Sequence, residues 1–396
     1  MRTSLETGIV AHPVSLSPFE CGEFDEALTG VRVVLLGEQS HGDGTAFSAK
    51  VELVRHLHVK HGFDVLAFES CFYSLNNVVE DHSGRDPVSC QVARQLYGHW
   101  RHAKELIPLW ELLDERAKAR QPLVVAGIDP RHSGIHVREH LVADLESLLS
   151  EHLPDELDTE AFARFRDLLE GVLEHEYRHM ANALDRAYFL NTIWRLRRKL
   201  SQVDGVSFWQ QELINLAYFA RNAWSFEGRD QGMASNLLWL TRVRYPNSKI
   251  IVWTHDWHAA KCSSTIKDAD AEYQETLEKH PDIPLGEVAA GAIGDELYSL
   301  TLIAGNGSEL PNAYRGDYQT SRPLPPAPQD TLEALLLHSQ AEAAFVNLRE
   351  QPTQTFSISG LEPAKWLHLN WARVFDGVLF LREMKPLQEN KRSETT

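Results

Sequence analysis

The chain has 396 residues, of which 43% are apolar and 24% charged, and its formal net charge is −17. This length predicts either one large domain with an insertion or two domains. Because acidic residues outnumber basic ones, we expect no non-specific binding to nucleic acid or to an anionic membrane surface. A neutral or cationic small-molecule partner is compatible with this charge.

The cysteines and the N-terminal residues indicate the cellular compartment in which the protein is expected. Cys21, Cys71, Cys90 and Cys262 form no C-x-x-C pair and fit no zinc ribbon, so reduced thiols are expected. The first residues lack the continuous apolar segment of a signal peptide, and no apolar run approaches the roughly 20 residues that cross a bilayer. We therefore expect a cytoplasmic protein, as a monomer or weak homo-oligomer.

Short, continuously apolar runs predict strands that are covered on both faces. In chain order they are residues 31–37, 64–70, 122–129 and 249–255. Helical periodicity over 45–61 and 104–120 separates the first three. Alternation of this kind is typical of an α/β fold with a mostly parallel central sheet flanked by helices.

The middle of the chain differs, because residues 136–245 carry only helical patterns. We interpret them as a helical insertion that forms a lid over the carboxyl ends of the strands. The α/β core then comprises 1–135 and 246–383, and 384–396 is a disordered tail. Further strands are predicted at 297–305, 342–348 and 376–381, with a long loop over 305–330.

Ionisable side chains follow each of the four early strands. In chain order they are Glu38 and His41, then Glu69, then Asp129, then His255 and His258. Ligands of open α/β sheets bind outside the carboxyl ends of the strands. The sequence therefore predicts that these side chains converge on a single crevice.

The chemistry of these residue types suits water activation. A histidine accepts a proton from water near neutral pH, and a neighbouring carboxylate fixes its tautomer. Glu38 and His41 share one tight loop and are the predicted pair, while His255 would supply a second proton-transfer or oxyanion-stabilising group. The alternative is that the acids cap helices and the histidines are ordinary core residues.

Two patterns point instead to a metal. Residues 175–179 read H-E-x-x-H, the spacing of zinc ligands on a helix, but Arg178 adds a cation and no third-ligand motif follows. His255-x-x-His258 with Glu38 and Glu69 is a second metal alternative, and it stays open. His56, His58 and His61 are predicted to lie on a solvated helix face.

Two other catalytic motifs are incomplete. Gly37 and Gly42 have the spacing of a phosphate loop, yet the Gly-Lys-Ser/Thr that should follow is missing. No G-x-S-x-G elbow occurs, and Ser40 is the only serine close to the predicted base. Nucleotide binding and serine catalysis are both disfavoured.

The order of several short motifs resembles the erythromycin esterase family. The motifs are Gly37-Glu38-Gln39-Ser40-His41, Ala67-Phe68-Glu69, Gly127-Ile128-Asp129, Arg229-Asp230 with Met233-Ala234, Trp253-Thr254-His255-Asp256-Trp257-His258, Leu285-Gly286 with Ile293-Gly294-Asp295, and Phe375-Asp376-Gly377. Together they cover roughly residues 30–382.

The resemblance implies hydrolysis of an ester or macrolide lactone by an activated water, without metal, cofactor or covalent intermediate. His41 would be the general base and Glu38 its orienting acid, with Glu69 and His255 completing the catalytic centre. Lys50, Asp129, His258 and Arg229 are expected to bind the substrate. The family also has a helical roof over the cleft.

This chain departs from the family pattern at two positions. Lys50 stands where the family often has arginine, which keeps the charge but loses the bidentate fork. Asp256 replaces the usual asparagine, and its charge is expected to raise the pKa values of the two flanking histidines or to favour a metal. The alternatives carried forward are a metal-dependent hydrolase with the same Glu/His cluster, a biosynthetic acyl-transfer or cyclisation enzyme, and a non-catalytic binding protein.

Overall fold

A computed structural model describes residues 3–4, 8–78, 86–175, 182–225, 227–269, 275 and 283–390. The strands are β1 (Thr3–Ser4), β2 (Val10–Pro13), β3 (Ser15–Leu16), β4 (Phe19–Glu20), β5 (Val33–Leu36), β6 (Phe63–Cys71), β7 (Val124–Asp129), β8 (Lys249–Trp253), β9 (Leu297–Glu309), β10 (Arg322–Pro323), β11 (Ala343–Asn347), β12 (Phe356–Ile358), β13 (Leu367–Leu369) and β14 (Gly377–Met384).

The helices lie between these strands, singly or several in succession. They are α1 (Gly22–Ala27), α2 (Gly44–His61), α3 (Phe72–Val78), α4 (Val88–Gln95), α5 (Gly98–Arg101), α6 (Ile107–Lys118), α7 (Ile135–His152), α8 (Pro154–Leu157), α9 (Glu160–His175), α10 (Ala183–Leu200), α11 (Ser207–Ser225), α12 (Arg229–Trp239), α13 (Asp256–Ala259), α14 (Ser263–Ala269), α15 (Leu285–Ile293) and α16 (Leu332–His338). None of these described helices is both long and apolar enough to span a bilayer.

The central sheet has the order β1-β2-β11-β14-β9-β5-β8-β6-β7. The strands from β14 to β7 pair in parallel, whereas β11, β2 and β1 form an antiparallel edge. The predicted mostly parallel α/β sheet is therefore confirmed. β5 is buried along its whole length, and β6 and β8 are buried except at Asp64 and Lys249, in agreement with their largely apolar sequences.

Strand order determines where a ligand binds. From β5 the chain crosses to β6 and β7, and it later returns to place β8 between β5 and β6. It then adds β9 on the other side of β5. The direction of winding reverses at β5, and such a reversal opens a crevice at the carboxyl ends of the adjacent strands.

The described residues between β7 and β8 are helical apart from short connections, as the sequence predicted for 136–245. These helices bury their own apolar cluster, which includes Phe165, Phe189, Leu196 and Leu213. Separate clusters cover the two faces of the sheet. Helix α12 connects the helical segment to the sheet, because its Asn236 side chain donates to the carbonyl of Ile128 at 2.7 Å.

Residues 385–390 differ from the predicted disordered tail. The amide of Gly44 donates to the carbonyl of Lys385 at 2.8 Å, and the amide of Lys104 donates to that of Gln388 at 2.8 Å. Leu387 is buried in the cluster on one face of the sheet. The polar composition of this segment did not predict these contacts, because most of them are backbone hydrogen bonds that do not depend on the side chains.

Candidate active site

The carboxyl ends of β5, β8, β6 and β7 lie side by side in the sheet. The residues that follow or end them meet there, since the amide of His255 and the hydroxyl of Thr254 both donate to Glu69, at 3.0 and 2.8 Å. The rings of His41 and His255 lie 5.4 Å apart. The predicted convergence of strand-end side chains is thus present in the structure.

The loop from Gly37 to Gly42 holds the first of these groups in place. A Cβ atom on Gly37 would collide with the Asp256 carboxylate, and one on Gly42 would collide with the carbonyl of Leu310. The Gln39 side chain accepts from the amide of Ala304 at 3.1 Å and donates to Ser359. Both glycines are therefore required for close packing, and the loop is held rigidly between β9 and α13.

Glu38 and His41 form a carboxylate–imidazole pair. The Nδ1 atom of His41 lies 2.9 Å from Oε1 of Glu38, which is completely buried. The other oxygen, Oε2, contacts Nζ of the buried Lys50, which also donates to the carbonyl of Thr254 at 3.0 Å. Burial lowers the pKa of Lys50 well below its usual value, although the charges of Asp256 and Glu69 oppose this shift. Since Glu38 accepts the proton on Nδ1, it holds His41 in the tautomer whose Nε2 is a proton acceptor.

His41 sits among aromatic rings at a partly open position. Its ring stacks on that of His99 at 4.5 Å and meets the edge of Trp100 at 5.6 Å. Burial, together with the neighbouring His99, lowers the pKa of His41 to about 3. The side chain keeps 18% of its surface exposed, so the neutral base can be reached by water and substrate.

His255 is fixed by the backbone on both sides of its ring. Its Nε2 lies 3.0 Å from the carbonyl of Gln39, and its Nδ1 accepts from the amide of Trp257 at 3.1 Å. Burial and the adjacent His41 and His258 lower the pKa of His255 to about 3. His255 is thus a neutral side chain with a fixed orientation that lines the site. Because both of its ring nitrogens contact the backbone, neither is available for the second proton transfer that the sequence suggested.

Glu69 and Asp129 share one arginine from the helical segment. Nη2 of Arg229 lies 2.6 Å from Oε1 of Glu69 and 2.6 Å from Oδ2 of Asp129. Asp129 also accepts from the amide and Nε of Arg131, at 2.9 and 3.0 Å. Although burial opposes ionisation, the charges of His258 and Arg229 hold the pKa of Glu69 well below its usual value.

His258 is a cation between two acids. Its Nδ1 lies 2.7 Å from Asp230, and its Nε2 lies 3.3 Å from Oε1 of Glu69. Burial alone would lower the pKa of His258, but the negative charges of Asp230 and Glu69 raise it to about 9. His258 is therefore protonated at neutral pH and stabilises the ionised form of Glu69.

The residues of the predicted metal alternative contact other protein groups and do not form a cluster of three ligand atoms. His41 and Lys50 hold Glu38, Arg229 holds Glu69, and the backbone holds His255. Among the described residues, one group of side chains brings three ligand atoms close enough to hold a metal ion, and it lies elsewhere: Asp25, His56 and His61. Glu176 to His179 of the H-E-x-x-H pattern lie outside the described residues.

Comparison with known proteins settles the family. The sequence model of the erythromycin esterase family matches residues 58–384. The chain belongs to this family. YbfO of Bacillus subtilis (strain 168), a protein named as a candidate hydrolase, is 24% identical over 91% of this chain and 85% of its own length. The family and the name of this relative both indicate a hydrolase.

Solved structures confirm the erythromycin esterase fold. A succinoglycan biosynthesis protein superposes with a TM-score of 0.72 at 15% identity, over 96% of both chains. A Bacillus cereus protein gives 0.68 at 16% identity, over 96% of both chains. A histidine-to-asparagine mutant of the erythromycin esterase EreC, in its open conformation, gives 0.65 at 15% identity over 96% of this chain and 98% of its own.

The two departures from the erythromycin esterase pattern have structural consequences that differ from those expected. Lys50 is completely buried against Glu38, so it orients this acid. The prediction that Lys50 binds the substrate is therefore wrong. Burial raises the pKa of Asp256 well above its usual value, which favours the neutral carboxyl. Asp256 therefore does not raise the pKa of His255, and the cationic state of His258 comes from Asp230 and Glu69.

The other predicted substrate-binding residues have different degrees of access. Asp129 is fully buried under Arg131 and Arg229, whereas the Arg229 side chain is 16% exposed and that of His258 is 11% exposed. Sequence reasoning missed His99, which stacks on His41 and is buried. The cluster Tyr97-Gly98-His99-Trp100 was the available signal, but it lies on a short helix after α4 and follows no strand.

Proposed function

We propose that this chain hydrolyses a carboxylic ester or lactone by adding a water that His41 deprotonates. The observation that best supports this proposal is the 2.9 Å contact between Glu38 and Nδ1 of His41. This contact leaves Nε2 as the proton acceptor of a partly exposed ring. Macrolide lactones are among the candidate substrates, as the family name suggests. A small neutral or cationic ester also suits the net charge of −17.

The steps follow from this arrangement. Nε2 of His41 takes a proton from water while the water oxygen bonds to the carbonyl carbon, and Glu38 stabilises the resulting imidazolium. The tetrahedral intermediate then breaks the bond to the leaving oxygen. That oxygen takes the proton back from His41, so the products are an acid and an alcohol and no acyl-enzyme forms.

Arg229 is the proposed donor for the developing oxyanion. Nη1 of Arg229 lies 3.0 Å from Nε2 of His258, and the Arg229 side chain keeps 16% of its surface exposed. A substrate oxygen that approaches this exposed side would accept from Nη1 in place of His258. A preorganised donor of this kind is worth roughly 100- to 1000-fold in rate.

The test is hydrolysis of a panel of macrolides, simple lactones and linear esters, followed by mass spectrometry in water enriched in the heavy oxygen isotope. We expect one labelled oxygen in the acid product and an unlabelled protein. His41→Asn should reduce turnover of the best substrate by at least about 100-fold. Exposed His140, on α7, gives the matched control His140→Asn, which should keep full activity.

Four results would contradict the proposal. Activity that disappears with a chelator and returns with zinc would establish the metal-dependent alternative. A covalently acylated protein would establish nucleophilic catalysis, and transfer of the acyl group to an alcohol in preference to water would establish an acyl-transfer enzyme. Equal, trivial rates for wild type and His41→Asn on every compound would support binding without catalysis.

The pKa of His41 determines the acid side of the pH profile. Because burial and His99 lower this pKa to about 3, the neutral base persists far below neutrality. We expect kcat/KM to stay level from pH 8 down to about pH 5, whereas an unperturbed histidine would give half activity near pH 6.5. The measurement is kcat/KM across this range, with circular dichroism to verify folding at each pH.

His99→Asn provides the internal control for this profile. Removing the second imidazole removes its repulsion of a protonated His41, so the acid limb should move to higher pH. A wild-type limb near pH 6.5, or a limb that does not move in His99→Asn, would show that another group controls the profile.

A further inference from the structure

A second cluster of histidines lies at the end of α2 remote from the candidate active site. His56 and His61, on the last turns of α2, face Asp25 on α1, and each Nε2 lies 2.6 Å from Oδ1 of Asp25. Helix α2 begins at Gly44 beside the catalytic loop, so His56 is about 18 Å along the helix from that end. The sequence predicted a solvated face here, but His58 is buried and the other two are largely covered.

The three ligand atoms are close together and reachable. They all lie within 4.8 Å of one another, and this is the one such group in the described part of the chain. The His56 side chain is 8% exposed, and those of His61 and Asp25 are 17% exposed. An ion can therefore enter from solvent while water completes its coordination.

Binding of an ion changes the position of two protons. Each Nε2 of His56 and His61 lies 2.6 Å from Oδ1 of Asp25 as a hydrogen-bond donor, so its proton must move to Nδ1 or be released to water before Nε2 binds the ion. Lys60 donates at 2.6 Å to Oδ2, the other carboxylate oxygen. Lys60 therefore orients the acid from outside, as partners of metal-bound carboxylates commonly do.

We propose that Oδ1 of Asp25 and the Nε2 atoms of His56 and His61 bind a divalent cation of the zinc type. Two imidazoles and a carboxylate suit Zn²⁺, which takes such ligands at about 2.0–2.2 Å in a tetrahedral arrangement. Opening the two 2.6 Å contacts by less than about 1 Å makes room for the ion. The bound cation joins α1 to the end of α2 and leaves the hydrolytic site untouched.

The experiment uses the full chain without an affinity tag, stripped with chelator and titrated with ZnCl₂ by calorimetry. We expect one saturable ion per chain, a raised Tm in its presence, and a tetrahedral visible spectrum with Co²⁺. His61→Gln and His56→Gln should each weaken Zn²⁺ binding by at least about 100-fold while circular dichroism stays unchanged.

Two control variants separate this site from the others. His140→Gln removes an exposed histidine, and His41→Asn removes one from the candidate active site; both should bind Zn²⁺ as the wild type does. No saturable binding, or binding that survives His56→Gln and His61→Gln, would overturn the proposal and leave a hydrogen-bonded cluster only. Binding lost in His41→Asn would place the ion at the hydrolytic site instead.

Discussion

Glu38→Gln should reduce kcat by about 1000- to 10,000-fold, the largest effect expected for a change of so few atoms. The buried amine of Lys50 needs an acceptor on the side of Glu38, so the amide oxygen of the new glutamine will face it. The amide nitrogen then donates to Nδ1 of His41, which forces the proton onto Nε2. In that tautomer His41 cannot take a proton from water.

Stability should fall in the same variant, because Lys50 loses the carboxylate that compensates its burial. The expected loss is about 1–3 kcal/mol in the free energy of unfolding. Steady-state kinetics on the best substrate and urea unfolding followed by circular dichroism measure the two effects separately.

A double variant makes this argument specific. With Lys50→Met added to Glu38→Gln, the amide oxygen is free to accept from Nδ1 of His41, so part of both activity and stability should return. If Glu38→Gln alone keeps activity within about tenfold of wild type, Glu38 does not control the tautomer. If the double variant recovers stability but no activity, the ionic charge of Glu38, not its hydrogen bond, is what His41 requires.

Arg229→Met should destabilise the protein by about 3–5 kcal/mol, because Glu69 and Asp129 lose the cation that they share. Arg229→Lys should lie between wild type and Arg229→Met, since a single ammonium cannot bridge both acids with the guanidinium geometry. Arg164→Met is the matched control. Its exposed pair with Asp185 should contribute no more than about 1 kcal/mol.

The pH dependence of this loss has a definite sign. The folded-state pKa values of Glu69 and Asp129 are lowered, so their ionised forms stabilise the fold above about pH 4 and this contribution is lost as pH falls through the lowered values. The difference in the free energy of unfolding between wild type and Arg229→Met should therefore have its full value at pH 7 and become smaller below about pH 4. A gap that is equal at both pH values would assign the loss to packing.

The strands and their polar ends could be predicted because a strand that is buried on both faces has a continuously apolar sequence. Continuously apolar runs marked β5, β6, β7 and β8, and the ionisable residues just after or at the ends of these runs do meet. The order of the strands in the sheet could not be predicted from the sequence, because the pairing of β8 with both β5 and β6 depends on contacts between distant segments.

The roles of individual charges were harder to predict than their positions. Lys50 lies on an otherwise ordinary helical pattern, and only the tertiary structure shows that it is buried against Glu38. His99 follows no strand and reaches His41 from a separate short helix. Asp256 appeared charged in the sequence, yet burial raises its pKa well above the usual value. Each error comes from burial, which a local pattern does not reveal.

The position of β8 has a consequence for how the protein is made. Its two neighbours, β5 and β6, are synthesised early, but the strand that joins them follows the entire helical segment. An emerging polypeptide therefore exposes two unpaired, strongly apolar edges until Trp253 has left the ribosome. Such long-range pairing slows folding, so chaperone dependence and truncation sensitivity should be concentrated at this late step.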